Sequence, residues 1–538
     1  MNSSQTLLTD KKRNVLFALI AFFAMLIYSQ NSPLYYTNDW VDSNYYLTMG
    51  QGIIHGLVPY KDLFEQKGPI LYFIHALATA VTGRNFYGIY VIESLLLLGS
   101  LILFYKTCRL FISEKYAFMA SAFLPVLMLQ ANGFLTSGNW FQNGDSAEEF
   151  AFPAIMFLIY SIFKYCKAGK MEFPPKIIYL LGLFMGYIFW IKYTMTGGFL
   201  AFFLFLGIYL LITKKWLEFL KTLGLSLAGF LTVSVPVLLY FGLNNGINAL
   251  IEDYFKINMT TYSSATTFIS HFSFLGSFFV QGFISSIWLI VPFGFLIAFL
   301  VKRKDIITSD VLQSSLFTVV FLATALFAFW GEKPWLYYYL VLIPFFAIGF
   351  LGIFELLQSS ELREQKYKKV KQIRALKKGQ VALFTVLAVL LPLSGNATIK
   401  TSRIFVKTNH TAQTSFAEVI NQVPHATMLE YGTNDFGFYT AANVIPTTPY
   451  FAQNNINYSD YPVPNDTQTE MIKEAKVDFV VAISYTVQPG YSYQTLNPES
   501  KVSEYLARNY QLVKTGSATN QGQAYPFSLY EKKALVKN

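Results

Sequence analysis

The sequence predicts a mainly α-helical, polytopic transmembrane bundle of about eleven spans, followed by a small α/β domain. Three observations carry that prediction. Of 538 residues, 54% are hydrophobic and only 13% charged, against roughly 25% charged in soluble domains. Apolar runs of spanning length recur through the first three quarters of the chain, with lysine and arginine gathered in short clusters between them. From about residue 400 the composition turns polar, rich in Asn, Thr, Tyr and Pro, with apolar runs too short to cross. The net charge of +10 therefore reports topology and gives no reason to expect a nucleic-acid partner.

Taken in order, spans are expected near 14–29, 86–105, 116–132, 150–165, 177–193, 196–213, 219–241, 273–300, 312–330, 335–356 and 380–398. The first follows Lys11, Lys12 and Arg13 and lacks a small-residue cleavage site, so it reads as a retained span with a cytoplasmic N-terminus. The apolar stretch from Gly68 to Thr82 is marginal for a ~30 Å hydrocarbon core and is read as a re-entrant or juxtamembrane helix. That reading places every basic cluster on one side: Lys106, Arg109 and Lys115; Lys164 to Lys176; Lys214, Lys215 and Lys221; Lys302 to Lys304; and Arg363 to Lys378. By the positive-inside rule that side is cytoplasmic, and the opposite surface carries residues 30–85, 133–149, 242–272 and 331–334.

Residues 1–399 thus form the transmembrane part and 400–538 an extracytoplasmic domain. In the latter, strand-like pieces (Thr427 to Tyr431, Phe479 to Ile483, Gln511 to Lys514, Phe527 to Tyr530) alternate with helix-like ones (Thr467 to Ala475, Ser500 to Asn509). The two cysteines, Cys108 and Cys166, are too few and too badly placed for a disulfide framework or a Cys-rich metal site.

The polar, acidic island from Asp39 to Pro69 stands out, because carboxylates and a lysine held against a bilayer are costly unless solvated or paired. Apolar positions from Trp40 to Gly56 recur at mixed spacing, compatible with a helix lying in the interface. Asp42 falls at or near its N-cap, where it serves equally as a cap or as a proton acceptor at the lip of a cavity. Asp39, three residues earlier, is an alternative cap or a metal ligand. Gly68 and Pro69 open the next helix, so free backbone N–H groups and the Lys67 ammonium converge on a spot suited to phosphate; a lipid-facing anchor is the plainer role for Lys67.

In the second outer loop Glu148 and Glu149 open a span, as site groups or as helix N-terminal acids. Lys192 and Lys333 are candidate phosphate contacts or interfacial anchors, and Tyr337 to Tyr339 fit an aromatic belt or a sugar platform. Glu93 reads as structural, and His75 as an isolated histidine without a matching ligand, so no zinc site is expected.

Asp42-Ser43 followed by Tyr46, Gly50, Gly56, Pro59-Tyr60, Asp62 and Lys67-Gly68-Pro69 resembles the first outer loop of the membrane-embedded GT-C glycosyltransferases. It resembles in particular the bacterial relatives of protein O-mannosyltransferases and of the lipid A aminoarabinose transferase. The resemblance implies a hexosyltransferase that takes a sugar from a polyprenyl-phosphate carrier to an extracytoplasmic acceptor: a cell-wall polymer such as teichoic acid, a glycolipid or a protein. It assigns the base to Asp42 and phosphate contact to Lys67, with Glu148 or Glu149 as a second acid and Asp39, Asp62 and Lys192 as substrate-binding candidates. Where many relatives have Asp-Glu and Lys-Pro-Pro, this chain has Asp42-Ser43 and Lys67-Gly68-Pro69, which leaves the donor sugar and metal dependence open. No cofactor is specified; a divalent metal is the one candidate. A transporter or flippase of lipid-linked sugars is the competing class, but it calls for repeated halves with polar segments at mid-membrane, and the sequence shows no repeat.

Overall fold

The computed structural model describes residues 9–129, 140–261, 268–285, 287–302, 311–333, 335–367, 378–390, 411–452, 455–491 and 493–535. The expected loop segment 133–139, the charged run beyond Tyr367 as far as residue 377, the last expected span beyond Leu390 and the expected domain boundary near 399 lie outside the described residues. The chain is a helical membrane protein with a four-stranded C-terminal sheet.

The first helices are α1 (Asp10–Tyr28), α2 (Val41–Ile54), α3 (Pro69–Thr82), α4 (Tyr87–Cys108), α5 (Glu114–Ala122), α6 (Leu124–Leu129) and α7 (Ala147–Tyr165). They are followed by α8 (Pro175–Phe189), α9 (Gly197–Ile212) and α10 (Trp216–Leu243). Further helices run Phe268–Ser285, Ile287–Lys302, Val311–Ala328, Ile343–Tyr367 and Lys378–Leu390. Among the described residues, five helical segments are long and apolar enough to cross a membrane: Tyr87–Cys108, Tyr193–Ile212, Trp216–Leu243, Val311–Ala328 and Ile343–Glu361. α1 and α7 match expected spans but carry charges at their ends.

Two elements differ from expectation. The span expected over 116–132 is two short helices, α5 and α6, because Pro125 cannot continue the preceding hydrogen-bond ladder. α2 does not lie on an interface: eleven of its fourteen residues are buried, which explains why its apolar positions follow no helical stripe. α3, at fourteen residues, is about 21 Å long and short of the ~30 Å core.

Packing brings the outer loops to one place. α4 packs between α1 and α7, and α2 lies against α3. α8 and α10 cross backbone to backbone: a Cβ on Gly182 would meet the Ser226 carbonyl oxygen at 2.1 Å, and one on Gly229 the Tyr179 carbonyl oxygen at 2.1 Å. Small residues at such crossings let membrane helices gain contact where apolar burial alone provides no drive.

Strands β1 (Cys166–Lys167) and β2 (Lys170–Met171) make a small hairpin. The C-terminal sheet comprises β3 (Met428–Tyr431), β4 (Phe479–Ile483), β5 (Tyr510–Asn520) and β6 (Gln523–Lys532) in the order β3-β4-β6-β5, with only β3 and β4 parallel. Alternate residues serve two cores. Leu429, Tyr431, Val480 and Ala482 pack with Ile472 and Leu506 of the helices Val463–Lys473 and Val502–Asn509, whereas Met428, Phe479 and Val481 join the core shared with the transmembrane part. The second face thereby roofs the first outer loop: Phe64 packs with Tyr450 and Tyr461, and Tyr45 with Phe451.

Candidate active site

α2 starts at Val41 with Trp40 at its N-cap, so Asp42 stands in the first turn, where backbone N–H groups favour a carboxylate, and Asp39 is not the cap. The Tyr46 hydroxyl, one turn on, lies 3.4 Å from Asp42 Oδ2, and its ring faces the Lys67 ammonium with 5.8 Å between Nζ and the centroid. Lys67 Nζ in turn lies 3.6 Å from Glu65 Oε1. The Glu65 carboxylate also accepts from the Lys67 backbone N–H at 2.7 Å and from the Tyr72 hydroxyl.

Backbone contacts hold this loop against the end of α8. The Gly68 N–H donates to the Ile191 carbonyl at 2.8 Å and the Ile70 N–H to the Trp190 carbonyl at 3.1 Å. Lys192 follows directly, and its ammonium lies 2.6 Å from Glu148 Oε1 and 3.5 Å from the centroid of the Tyr338 ring. Glu148 Oε2 is buried without a partner. Segments far apart in sequence so gather three carboxylates and two ammonium groups.

Two cavities meet at this cluster. One, of about 330 Å³, is bounded by Asp42, Glu65 and Lys67 on one side and by C-terminal-domain residues on the other. A smaller one, of about 70 Å³, is lined by Lys192, Lys333, Tyr338 and Asn258. Gln66 and Lys67 border both. Burial raises the Asp42 carboxyl above its ordinary value; Lys67 is the strongest opposing charge, while Glu65 and Glu148 add to the rise. A partly desolvated carboxylate beside a lysine can accept a proton and remain close to a group that neutralises an anion.

The fold and part of the sequence are shared with known membrane proteins. Residues 66–240 match the family model described as dolichyl-phosphate-mannose-protein mannosyltransferase. The whole chain resembles the crystal structure of ArnT from Cupriavidus metallidurans bound to undecaprenyl phosphate, at 12% identity and a TM-score of 0.58, covering 97% of this chain and 98% of ArnT. The apo state of the same protein gives 12% and 0.57, over 96% and 97% of the two chains. The archaeal oligosaccharyltransferase AglB from Archaeoglobus fulgidus, in complex with an inhibitory peptide and a dolichol-phosphate, gives 11% and 0.50, over 98% of this chain and 74% of AglB. No curated protein sequence matches the chain.

The chain has the fold of ArnT, and residues 66–240 carry the mannosyltransferase family pattern.

Within this fold the residues singled out in the sequence separate by place. Asp42, Lys67, Glu148 and Lys192 come together around the two cavities. Asp39 lies behind them: its carboxylate accepts from Asn143 Nδ2 at 2.6 Å and from the Gly522 N–H at 3.1 Å, tying the first loop to the second and to the β5–β6 turn. Asp62 closes a local turn by accepting from the Val58 N–H at 2.8 Å. Glu149 points away as well, accepting from the Asp145 N–H at 2.9 Å in a buried group with Glu93, whose carboxylate accepts from Ser29 and Asn31.

His75 has a partner that sequence distance concealed. Its Nε2 lies 3.0 Å from Asp145 Oδ2 and its Nδ1 2.8 Å from the Leu71 carbonyl. Both neighbours are acceptors, so the buried pair satisfies both contacts only by holding one proton beyond a neutral imidazole and a carboxylate. Sequence reasoning passed over Glu65 and Gln66 as site residues, although both directly precede Lys67; the run Glu65-Gln66-Lys67 at the mouth of a helix was the available signal. Among the described residues no group of three Asp, Glu, His or Cys side chains is placed to hold a metal ion, and the carboxylates nearest the cavities face lysines.

Proposed function

We propose that the protein transfers one sugar from a polyprenyl-phosphate carrier to an acceptor hydroxyl outside the cytoplasmic membrane, in a single inverting displacement. The acceptor oxygen attacks the anomeric carbon as Asp42 takes its proton; the bond from that carbon to the phosphate oxygen breaks, and the phosphate leaves with the electron pair. Lys67 offsets the charge that grows on the leaving phosphate, and Lys192 adds to the field. The lysine-lined cavity takes the carrier phosphate and the larger one the acceptor, so Lys67 stands where the two substrates meet.

The observation that carries this reading is the position of Asp42 and Lys67 on the wall of one cavity, with Lys67 the strongest positive influence on Asp42. The undecaprenyl phosphate bound to ArnT and the dolichol-phosphate bound to AglB supply the carrier class. The side of the membrane follows from the basic clusters, which leave residues 30–85 and the C-terminal domain opposite the cytoplasm. The acceptor class lies among cell-wall polymers, glycolipids and proteins.

The test is to incubate the purified protein in lipid nanodiscs with a panel of polyprenyl-phosphate sugars and a cell-envelope extract as acceptor, and to measure free polyprenyl phosphate. One donor is expected to release it, and Lys67→Gln to slow that release by about 10²-fold or more. No release from any donor, or undiminished release by Lys67→Gln, overturns the proposal.

A further inference from the structure

The walls of the larger cavity differ in chemistry. The transmembrane part contributes the charged groups Asp42, Glu65 and Lys67; the C-terminal domain contributes Asn434, Asn455, Asn520 and Gln521, all uncharged amides. Asn520 Oδ1 and Gln66 Nε2 are buried without hydrogen-bond partners, one an acceptor and the other a donor, and both residues line the cavity. Leaving such an atom unpaired is costly, so a ligand that pairs both is favoured. The rings of Trp40, Tyr45, Phe64 and Trp335 also border the space, giving flat apolar surface beside the amides.

From this juxtaposition we infer that the C-terminal domain forms the acceptor wall and selects a neutral, polyhydroxylated group, a saccharide or polyol unit, over a charged group or a peptide. A hydroxyl is both donor and acceptor, as is a carboxamide, so amides match hydroxyls in either sense. A fixed charge brought to this wall would meet no opposite charge among its described residues. Carbon–hydrogen faces of a sugar ring fit the aromatic rings, as mixed apolar and polar linings do for small ligands generally. The inference rests on the transferase reading only for which hydroxyl reacts; the preference for neutral hydroxyl-rich groups stands on the wall itself.

The experiment is saturation-transfer NMR on the full chain in nanodiscs prepared without glycoside detergent. The probes are maltose as the neutral disaccharide, a glucuronic-acid disaccharide, a glucosamine disaccharide and a serine-rich peptide. Saturation transfer is expected to the neutral disaccharide above the other three. Asn520→Leu and Gln66→Met are each expected to weaken it about 3- to 10-fold, the loss that follows from one neutral hydrogen bond. Because neither amide atom has a partner in the protein alone, melting temperature is expected not to fall in either variant, which separates lost recognition from lost folding.

Equal or stronger transfer to a charged probe or to the peptide, or saccharide binding unaltered in both variants, overturns the inference. Binding is read without turnover. A protein that binds the disaccharide yet releases no polyprenyl phosphate would retain this inference and lose the transferase reading, and the reverse outcome is equally visible.

Discussion

Asp42 is held between opposing influences. Burial and the neighbouring Glu65 and Glu148 favour its protonated form, while Lys67 and, more weakly, Lys192 favour the carboxylate. A base is most effective when its pKa approaches working pH, so a raised carboxyl is an asset to proton transfer and a cost to folding. The sign follows from linkage. With the folded pKa above the unfolded one, the native state holds the extra proton between the two values, and stability falls as pH rises through that window. Asp42→Asn is therefore expected to lower transfer by about 10²–10⁴-fold while leaving the melting temperature at neutral pH equal to or above that of the parent. In the parent, the acid limb of the rate profile is expected above the ordinary carboxylate pKa of about 3.9. Activity measured alongside thermal melting checks both, and an active or cold-melting variant removes Asp42 from the mechanism. Asp42 and Lys67 stood out in the sequence because charge beside apolar spans is rare and costly. Spacing alone did not separate them from Asp39, Asp62 and Glu149, which are the same residue types put to structural use by contacts more distant than any local pattern reveals.

Gly68 shows how two elements set the distance between two cations. It is the N-cap of α3, and a Cβ there would come within 2.1 Å of the Trp190 carbonyl oxygen and 2.8 Å of the Ile191 carbonyl carbon. Those atoms are backbone and cannot swing aside, so the loop bearing Lys67 or the segment bearing Lys192 must move. Gly68→Ala is expected to destabilise the protein by about 1–3 kcal/mol, the usual range for overpacking. It is also expected to raise the apparent KM for the lipid-linked donor, with expression and insertion retained. A donor titration checks this, and unchanged KM together with unchanged melting would show that the close approach is dispensable. The Lys-Gly-Pro sequence was legible as a departure from a Lys-Pro-Pro pattern; its reason was not, since the partner backbone lies more than 120 residues away. Most helices and all four strands of the C-terminal sheet were legible, because spanning length and strand alternation are local properties. The burial of α2 was not: it depends on a roof supplied by residues some 400 positions later.

That roof is fastened by a pair of buried acids, and it couples the C-terminal domain to the helix that bears Asp42. The Thr48 hydroxyl of α2 donates to Asp435 Oδ2 at 2.6 Å, and Asp435 Oδ1 accepts from the Gly437 N–H at 2.7 Å. Glu430 Oε2, on β3, accepts from the Phe436 N–H at 3.1 Å, next to Asp435. Burial pushes the Asp435 carboxyl up to about 6; burial and then the Asp435 charge raise Glu430 further above its ordinary range. Both folded values exceed the unfolded ones, so the native state binds more protons than the unfolded chain, and stability declines as pH rises from the ordinary carboxylate range near 4 through about 6. Asp435→Asn keeps an acceptor for Gly437, removes one titrating group and relieves the repulsion on Glu430. The fall in melting temperature between about pH 5 and about pH 7 is therefore expected to shrink in the variant, and its hydrogen exchange along α2 at neutral pH to be no faster than the parent's. A parent protein whose melting is flat over that interval, or a variant that retains the full pH dependence, would show that this pair does not hold a proton and that the roof is fastened by apolar contacts such as Phe64 with Tyr450 alone.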